Sequence, residues 1–261
     1  MRALAVTILL LAGCNAEATK PDPTKPEAAK PPQTELQAAQ EEYVGDIMAF
    51  TKQTHDAVRE RMKKGSVPLK EEWEAWEKQG PMTDERGKAF YKQTTNYMYE
   101  LGEWHLFVDN KRESDVQLVK DVVALKPKNV LDFGGGVGLN SLMLTRAGLD
   151  VTLADLESTS LKFAQFRAQR HDQKLKFWQT DIEAMPPDAR YDVILALDVL
   201  EHLPSAILED TVNKLVKLKH PGTKVIMSAP FGRTSVHPMH LDADAHTKQQ
   251  VNRLMNELPP S

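Results

Sequence analysis

Val130-Leu131-Asp132-Phe133-Gly134-Gly135-Gly136-Val137-Gly138 decides the fold. A short apolar strand ends in glycines, which permit a tight turn and let a ligand approach the backbone closely. The spacing is Asp-x-Gly-x-Gly-x-Gly. A dinucleotide loop, Gly-x-Gly-x-x-Gly counted from Gly134, needs glycine where Leu139 stands. The Gly-Lys-Ser/Thr ending of a phosphate-cradling loop is absent as well. Asp132, just before the glycines, repels phosphate. It can instead orient the loop and pair with a cationic ligand.

Outward from this loop, the pattern downstream alternates. A helix opens at Leu139, and strands are expected at 151–154, 175–178, 193–197 and 224–229, with helices at 158–169 and 206–218. An amphipathic helix at 116–125 precedes the first strand. Such alternation predicts βαβ units and a parallel sheet covered on both faces. The run Val193-Ile194-Leu195-Ala196-Leu197 has no period of two, as fits a strand buried on both sides. Upstream the reading is helical. Apolar spacing predicts a helix over 43–64, ended by Gly65 and Pro68, and a second through Trp73 and Trp76, ended by Pro81. Thr83-Asp84-Glu85 is a cap and first turn, opening a helix to about Leu106. Its aromatics make it a lid or a core face, core being the commoner outcome. Tyr97, Tyr99 and Trp104 are the expected wall of an acceptor pocket.

Three more carboxylates follow the loop at strand ends. Asp155 ends the second strand, where a carboxylate can accept both hydroxyls of a ribose. Asp181 follows the third and can accept from an adenine amino group. Asp198 ends the fourth, in Asp198-Val199-Leu200-Glu201-His202-Leu203. Open α/β sheets bind ligands at this end of their strands.

With these motifs in order, residues 112–232 resemble a class I S-adenosylmethionine-dependent methyltransferase. The run from Asp198 to Leu203 is similar to the branch containing ubiquinone-biosynthesis O-methyltransferases and other small-molecule methylases. The resemblance implies a Rossmann-like, parallel-rich sheet preceded by a helical region. It implies S-adenosylmethionine as cofactor, lined by Gly134, Gly136 and Gly138. By the same resemblance Asp155 holds the ribose, Asp181 with Ile182 faces the adenine, and Asp132 lies near the methionyl amino group. Asp198 is counted with the cofactor residues. The acceptor is a small molecule, O-methylation being favoured. If it is a hydroxyl, a general base helps, and His202 and His240 are the candidates.

The loop His237-Pro238-Met239-His240-Leu241-Asp242-Ala243-Asp244-Ala245-His246 has residue types that can bind a divalent metal. A solvated turn capping a final helix over 244–258 is the favoured reading, and no metal is assigned. The family continues past the fifth strand into a strand hairpin that this sequence lacks room for. Either the sheet has five strands, or the N-terminal helices cover its exposed edge.

The N-terminus reads as an address. Met1-Arg2 and the apolar run from Ala3 to Ala12 are a signal-peptide core, too short to span a bilayer. Leu11-Ala12-Gly13-Cys14 resembles a bacterial lipobox, implying a mature chain that starts at lipidated Cys14, is anchored in a membrane of the cell envelope, and with Asn15 favours the outer one. Residues 14–42, rich in Pro, Ala, Lys and Glu, read as a disordered tether. The 43–111 stretch is then a helical lead-in or lid, 112–232 the core, and 233–261 a His/Asp loop with a terminal helix.

The 261 residues carry 33 basic and 37 acidic side chains, a net charge of −4 that argues against nucleic acid as a partner. A single Cys excludes an internal disulfide. Export sits awkwardly with a cytoplasmic cofactor, so the chain is cytoplasmic if the signal is not used. A non-catalytic lipoprotein that reuses the fold to bind a ligand or partner is the alternative. A nicotinamide oxidoreductase ranks third because of Leu139.

Overall fold

The computed structural model describes residues 33–181, 183–184 and 188–258. Five strands form one sheet: β1 (Asn129–Phe133), β2 (Asp150–Asp155), β3 (Lys176–Gln179), β4 (Val193–Leu197) and β5 (Lys224–Ser228). Their order is β3-β2-β1-β4-β5, and every pairing is parallel. The order reverses between β1 and β4, and the glycine loop leaves the carboxyl end of β1 beside that switch point. The register sets Phe133 level with Ala154 and Ala196, so Asp155 emerges next to the loop.

Side chains alternate between two apolar layers. Leu131, Ile194 and Ala196 pack with α9 (Ser205–Lys217) and α10 (Ala245–Asn256) through Leu208, Val212, Leu215 and Leu254. Val130, Val193 and Leu195 pack on the other face with α6 (Lys111–Ala124), α7 (Leu139–Arg146) and α8 (Thr159–Arg170). Burial on both faces is why these strands read as continuous apolar runs. Among the described residues the sheet has five strands, the first of the two expected arrangements.

The lead-in is five helices rather than three. These are α1 (Gln33–Thr51), α2 (His55–Met62), α3 (Val67–Lys78), α4 (Asp84–Gln93) and α5 (Asn96–Phe107). The helix expected over 43–64 breaks at Lys52, whose φ is 61°. Thr54 restarts the chain by accepting from the Ala57 amide. The helix expected to run from Thr83 to Leu106 breaks at Thr94, whose hydroxyl donates to Glu72 at 2.6 Å. Neither break carries Pro or Gly.

A second correction concerns the tether. Helix α1 begins at Gln33, so residues 33–42 are helical and not part of a disordered spacer. Beyond Pro32 this stretch is rich in Ala, Gln, Glu and Leu, all strong helix formers, and holds no Pro. Residues 14–32 of the tether, the signal segment and Cys14 lie outside the described residues.

The helical region packs on the glycine loop and α8, not along a sheet edge. Tyr43, Ile47, Met98 and Tyr99 meet Val137, Leu139 and Phe163 in one apolar cluster. Helices α1 and α5 touch closely at Gly102, where a Cβ would fall 2.1 Å from the Tyr43 ring. Fully buried Asp46 of α1 accepts from Arg167 Nε of α8 at 3.0 Å, and the same guanidinium donates to the Val137 carbonyl at 3.0 Å. One buried ion pair therefore ties the lead-in to the loop.

Candidate active site

The sheet's carboxyl end and helices α3–α5 enclose a cavity of about 1400 Å³. Pockets for one drug-sized ligand hold roughly 300–1,000 Å³. This one has room for two ligands side by side.

The glycine loop forms one end. Gly134 has φ 73°, and a Cβ there would sit 2.4 Å from Val199. Gly136 has φ 52°, and a Cβ there would meet Leu101 at 3.4 Å and the Gly134 carbonyl at 4.0 Å, both ordinary contacts, so the position opens on the cavity. Gly138 opens α7. The Gly136 amide donates to Asp155 Oδ2 at 2.7 Å, and the Leu156 amide donates to Oδ1 at 2.6 Å. Burial pushes the Asp155 carboxyl up to about 6, against the pull of those two amides.

Asp132 is buried beneath the loop and accepts from Ser141 Oγ at 2.6 Å. Burial raises its carboxyl, which Ser141 partly offsets. A Cβ on Gly135 would fall 2.8 Å from its Oδ2, so the loop packs directly on Asp132, which also lines the cavity. Asp181 accepts the Glu157 amide on Oδ1 and the Lys92 ammonium of α4 on Oδ2, each at 2.8 Å. Burial raises its carboxyl, but the Lys92 and Glu157 hydrogen bonds outweigh this and hold it below the usual range. Ile182 lies outside the described residues. Asp198, at φ 52°, accepts from Ser228 Oγ at 2.6 Å and lines the cavity beyond β4.

The other end is built from three distant segments. His202 closes a single 3-10 turn (Leu200–His202), and its Nδ1 lies 3.0 Å from the Tyr91 hydroxyl of α4. His240 reaches it from the loop after β5, ring to ring at 4.9 Å, and His237 stacks on His240 at 4.9 Å. Burial, then His240, pushes His202 down to about 3, although the Met239 carbonyl pulls the other way. Burial and then His237 lower His240 as well. Both rings are neutral at physiological pH.

The loop from His237 to His246 divides. Of its His and Asp side chains, His237 and His240 line the cavity, as do Met239 and Leu241. Asp242 accepts the Arg233 amide, Asp244 caps α10 through the Thr247 amide, and His246 turns to Glu209. The aromatic wall is also corrected at one position. Tyr97 and Trp104 line the cavity with Tyr91, but buried Tyr99 points away and donates to Gln53 at 2.9 Å.

Sequence reasoning gave no role to Glu100, Glu201, Tyr91 or Lys92. Burial, then Asp198, pushes Glu100 up to about 7 and Glu201 up to about 9. The signal for Glu201 was present in the run Asp198–Leu203, but not its burial.

Residues 130–222 match the family model described as a methyltransferase domain. A ubiquinone biosynthesis O-methyltransferase of Rickettsia typhi is 33% identical over 146 residues, covering 53% of this chain and 58% of the relative. One from Coxiella burnetii is 31% identical over 114 residues, covering 43% and 48%. The chain spans about half the length of the curated relatives it matches. Among solved structures, TehB from Haemophilus influenzae is similar at 26% identity and a TM-score of 0.38, covering 42% of this chain and 39% of that one. YcgJ of Bacillus subtilis is similar at 15% and 0.45, covering 55% and 68%.

The methyltransferase match supports S-adenosylmethionine as the cofactor, and the residues present fit it. The Gly136 cradle admits a ligand against the backbone, and Asp155 stands at the end of β2 with a carboxylate for a diol. Asp132, Asp155 and Asp198 on the cavity wall suit a sulfonium and an ammonium. They oppose the pyrophosphate of a dinucleotide.

Proposed function

We propose that this chain transfers a methyl group from S-adenosylmethionine to a hydroxyl of a small aromatic acceptor. The observation that carries the reading is one cavity with two chemically different ends. One has the Gly136 cradle and Asp155; the other has two neutral imidazoles beside Tyr91, which in turn packs on Tyr97. The bound cofactor supplies an electrophilic methyl group. The chain's own contribution is mainly positioning. Asp155 would hold the ribose and Asp181 the adenine edge, while the aromatic wall would orient a flat acceptor. His202 and His240 offer lone pairs to an acceptor hydroxyl, whose proton must leave as the oxygen becomes the nucleophile. Tyr91 orients the His202 ring through Nδ1.

Calorimetric titration with S-adenosylmethionine tests this, with Asp155→Ala as control. Micromolar binding that is lost in the control is the expected result. No binding by a folded wild-type protein would overturn it and favour the non-catalytic alternative.

The lipobox at Leu11–Cys14 supports a membrane-anchored protein of the cell envelope. Incorporation of labelled palmitate, abolished by Cys14→Ser, is expected. Full incorporation by the variant would remove the anchor from this reading.

A further inference from the structure

Helix α5 turns one face to the cavity. Tyr97, Glu100, Leu101 and Trp104 stand at helical spacing and all line it. Leu101 comes within 3.4 Å of where a Gly136 Cβ would sit, so Glu100 lies beside the junction of the cavity's two ends. Glu100 has neither a hydrogen bond nor an ion pair among the described residues. Glu201, on the cavity wall after β4, is fully buried, and neither of its carboxylate oxygens has a hydrogen-bond partner among the described residues. A buried carboxylate left this way is costly, and native proteins seldom keep one without a reason. Burial first, then Tyr91, Glu100 and Glu201, raise the Tyr97 hydroxyl, which puts both carboxylates near that ring.

Elsewhere the chain answers its acids with its own cations. Asp46 has Arg167, Asp115 has Lys111, and Asp181 has Lys92. Of the lysines on the cavity wall, Lys111 is thus engaged, Lys214 pairs with Asp210, and Lys88 is exposed. None serves Glu100 or Glu201. The cofactor brings two cationic groups, an ammonium and a sulfonium. Asp132 and Asp198 suit these, and Asp155 suits the ribose, which leaves Glu100 and Glu201 unanswered. Tyr91 and Tyr97 stand beside them, ring to ring at 5.9 Å, and aromatic faces also attract a cation.

We propose that Glu100 and Glu201, with Tyr91 and Tyr97, form a subsite for an ammonium group carried by the acceptor. The acceptor is then an aromatic ring bearing a hydroxyl and a cationic amine side chain, rather than an aromatic acid or an uncharged ring. An ammonium is a compact charge with three donors, and it supplies what both carboxylates lack. In the free chain burial, then Asp198, pushes Glu100 up to about 7 and Glu201 up to about 9, and a bound cation relieves that cost. Anchoring the amine also fixes where the ring hydroxyl sits relative to His202 and His240. Glu100 acts here on specificity, since the charge it reads is not on the reacting atoms.

The inference rests on the methyl-transfer reading, and the test keeps the two apart. The full chain is saturated with S-adenosylhomocysteine, which fills the cofactor end without donating a methyl group. It is then titrated by calorimetry with three catechols: dopamine, catechol itself and 3,4-dihydroxybenzoate. Dopamine should bind at least about tenfold tighter than catechol, and the acid should bind weakest. Glu100→Gln keeps the shape of the side chain and removes its charge. It should bring dopamine to within about twofold of catechol and leave the affinities for catechol and S-adenosylhomocysteine unchanged. In turnover the same variant should raise KM for dopamine and leave kcat unchanged. The wild-type ranking decides the matter where the variant does not fold. Equal affinity for dopamine and catechol, tightest binding of the acid, or equal weakening of all three probes by Glu100→Gln overturns the subsite. So does binding of none of them by a chain that holds S-adenosylhomocysteine. A chain that binds neither S-adenosylmethionine nor S-adenosylhomocysteine, yet still prefers dopamine, upholds the subsite and overturns methyl transfer.

Discussion

The two ends of the cavity are built in opposite ways. At the cofactor end, Asp132, Asp155 and Asp181 are each already hydrogen-bonded, to Ser141, to two amides, and to an amide and Lys92. Apart from Lys92, those partners lie within 24 residues of the carboxylate they serve. At the acceptor end, Tyr91 meets His202 across 111 residues, and the Glu201 carboxylate has no hydrogen-bond partner among the described residues. The first end is preorganised by local chain geometry, so it is ready for a fixed ligand. The second is assembled by tertiary packing and leaves polar atoms unspent. Variation in substrate is accommodated more easily there, because loops and lid helices can change without disturbing the strand ends.

The largest expected effect breaks the cofactor end alone. Gly136→Val places a branched side chain where the backbone meets the ligand, in a left-handed conformation that costs about 1–2 kcal/mol. The position is open enough for the fold to survive. Affinity for S-adenosylmethionine should fall more than about 100-fold, roughly 3 kcal/mol or more by calorimetry. The thermal midpoint should fall only by what that backbone strain costs, and a larger fall would mean that the loop itself, not its ligand contact, was broken.

A tenfold effect comes next, from Asp155. Its folded carboxyl titrates near 6, well above the unfolded range. If Asp155 holds the ribose as proposed, the diol donates to the ionised form, which is roughly nine-tenths populated at pH 7 and one-tenth at pH 5. Cofactor affinity should therefore drop about tenfold between those values. Asp155→Asn should bind weakly with a flat profile. The stability contribution of this group runs the other way. A raised folded pKa favours the free protein at low pH, and that gain is lost as pH rises from about 4 through 6. Opposite slopes for binding and for unfolding would locate the titration at Asp155.

The same division explains what was legible in the sequence. Asp132, Asp155 and Asp181 follow apolar strands by a residue or two, and a parallel sheet brings all strand ends together. Their placement needs little beyond the strand pattern. Glu201 stood in plain view, but its burial depends on the β5 loop and on α5, which no spacing reports. Tyr97 and Tyr99 differ by two residues, about 200° around a helix, and therefore face opposite sides. Aromatic density alone does not choose between them. The breaks at Lys52 and Thr94 carry neither Pro nor Gly. At Thr94 the hydroxyl is held by Glu72, 22 residues away, a contact that no local spacing reports.

The smallest expected effect lies where the two ends are joined. Lys92 of the lid donates to Asp181, and its ammonium is also 3.9 Å from Glu157. Lys92 is about one-third exposed, so solvent screens the pair. Exposed pairs are worth up to about 1 kcal/mol, and Lys92→Ala should leave stability nearly unchanged. Its informative effect is on the cofactor. If Asp181 accepts an adenine amino group, Lys92 competes for the same oxygen, and removing it should tighten binding up to about fivefold. Weaker binding in Lys92→Ala would instead make Lys92 a clasp that closes α4 over the bound cofactor. The lid would then belong to both ends of the cavity, and the contrast between a local half and an assembled half would hold only for the free protein.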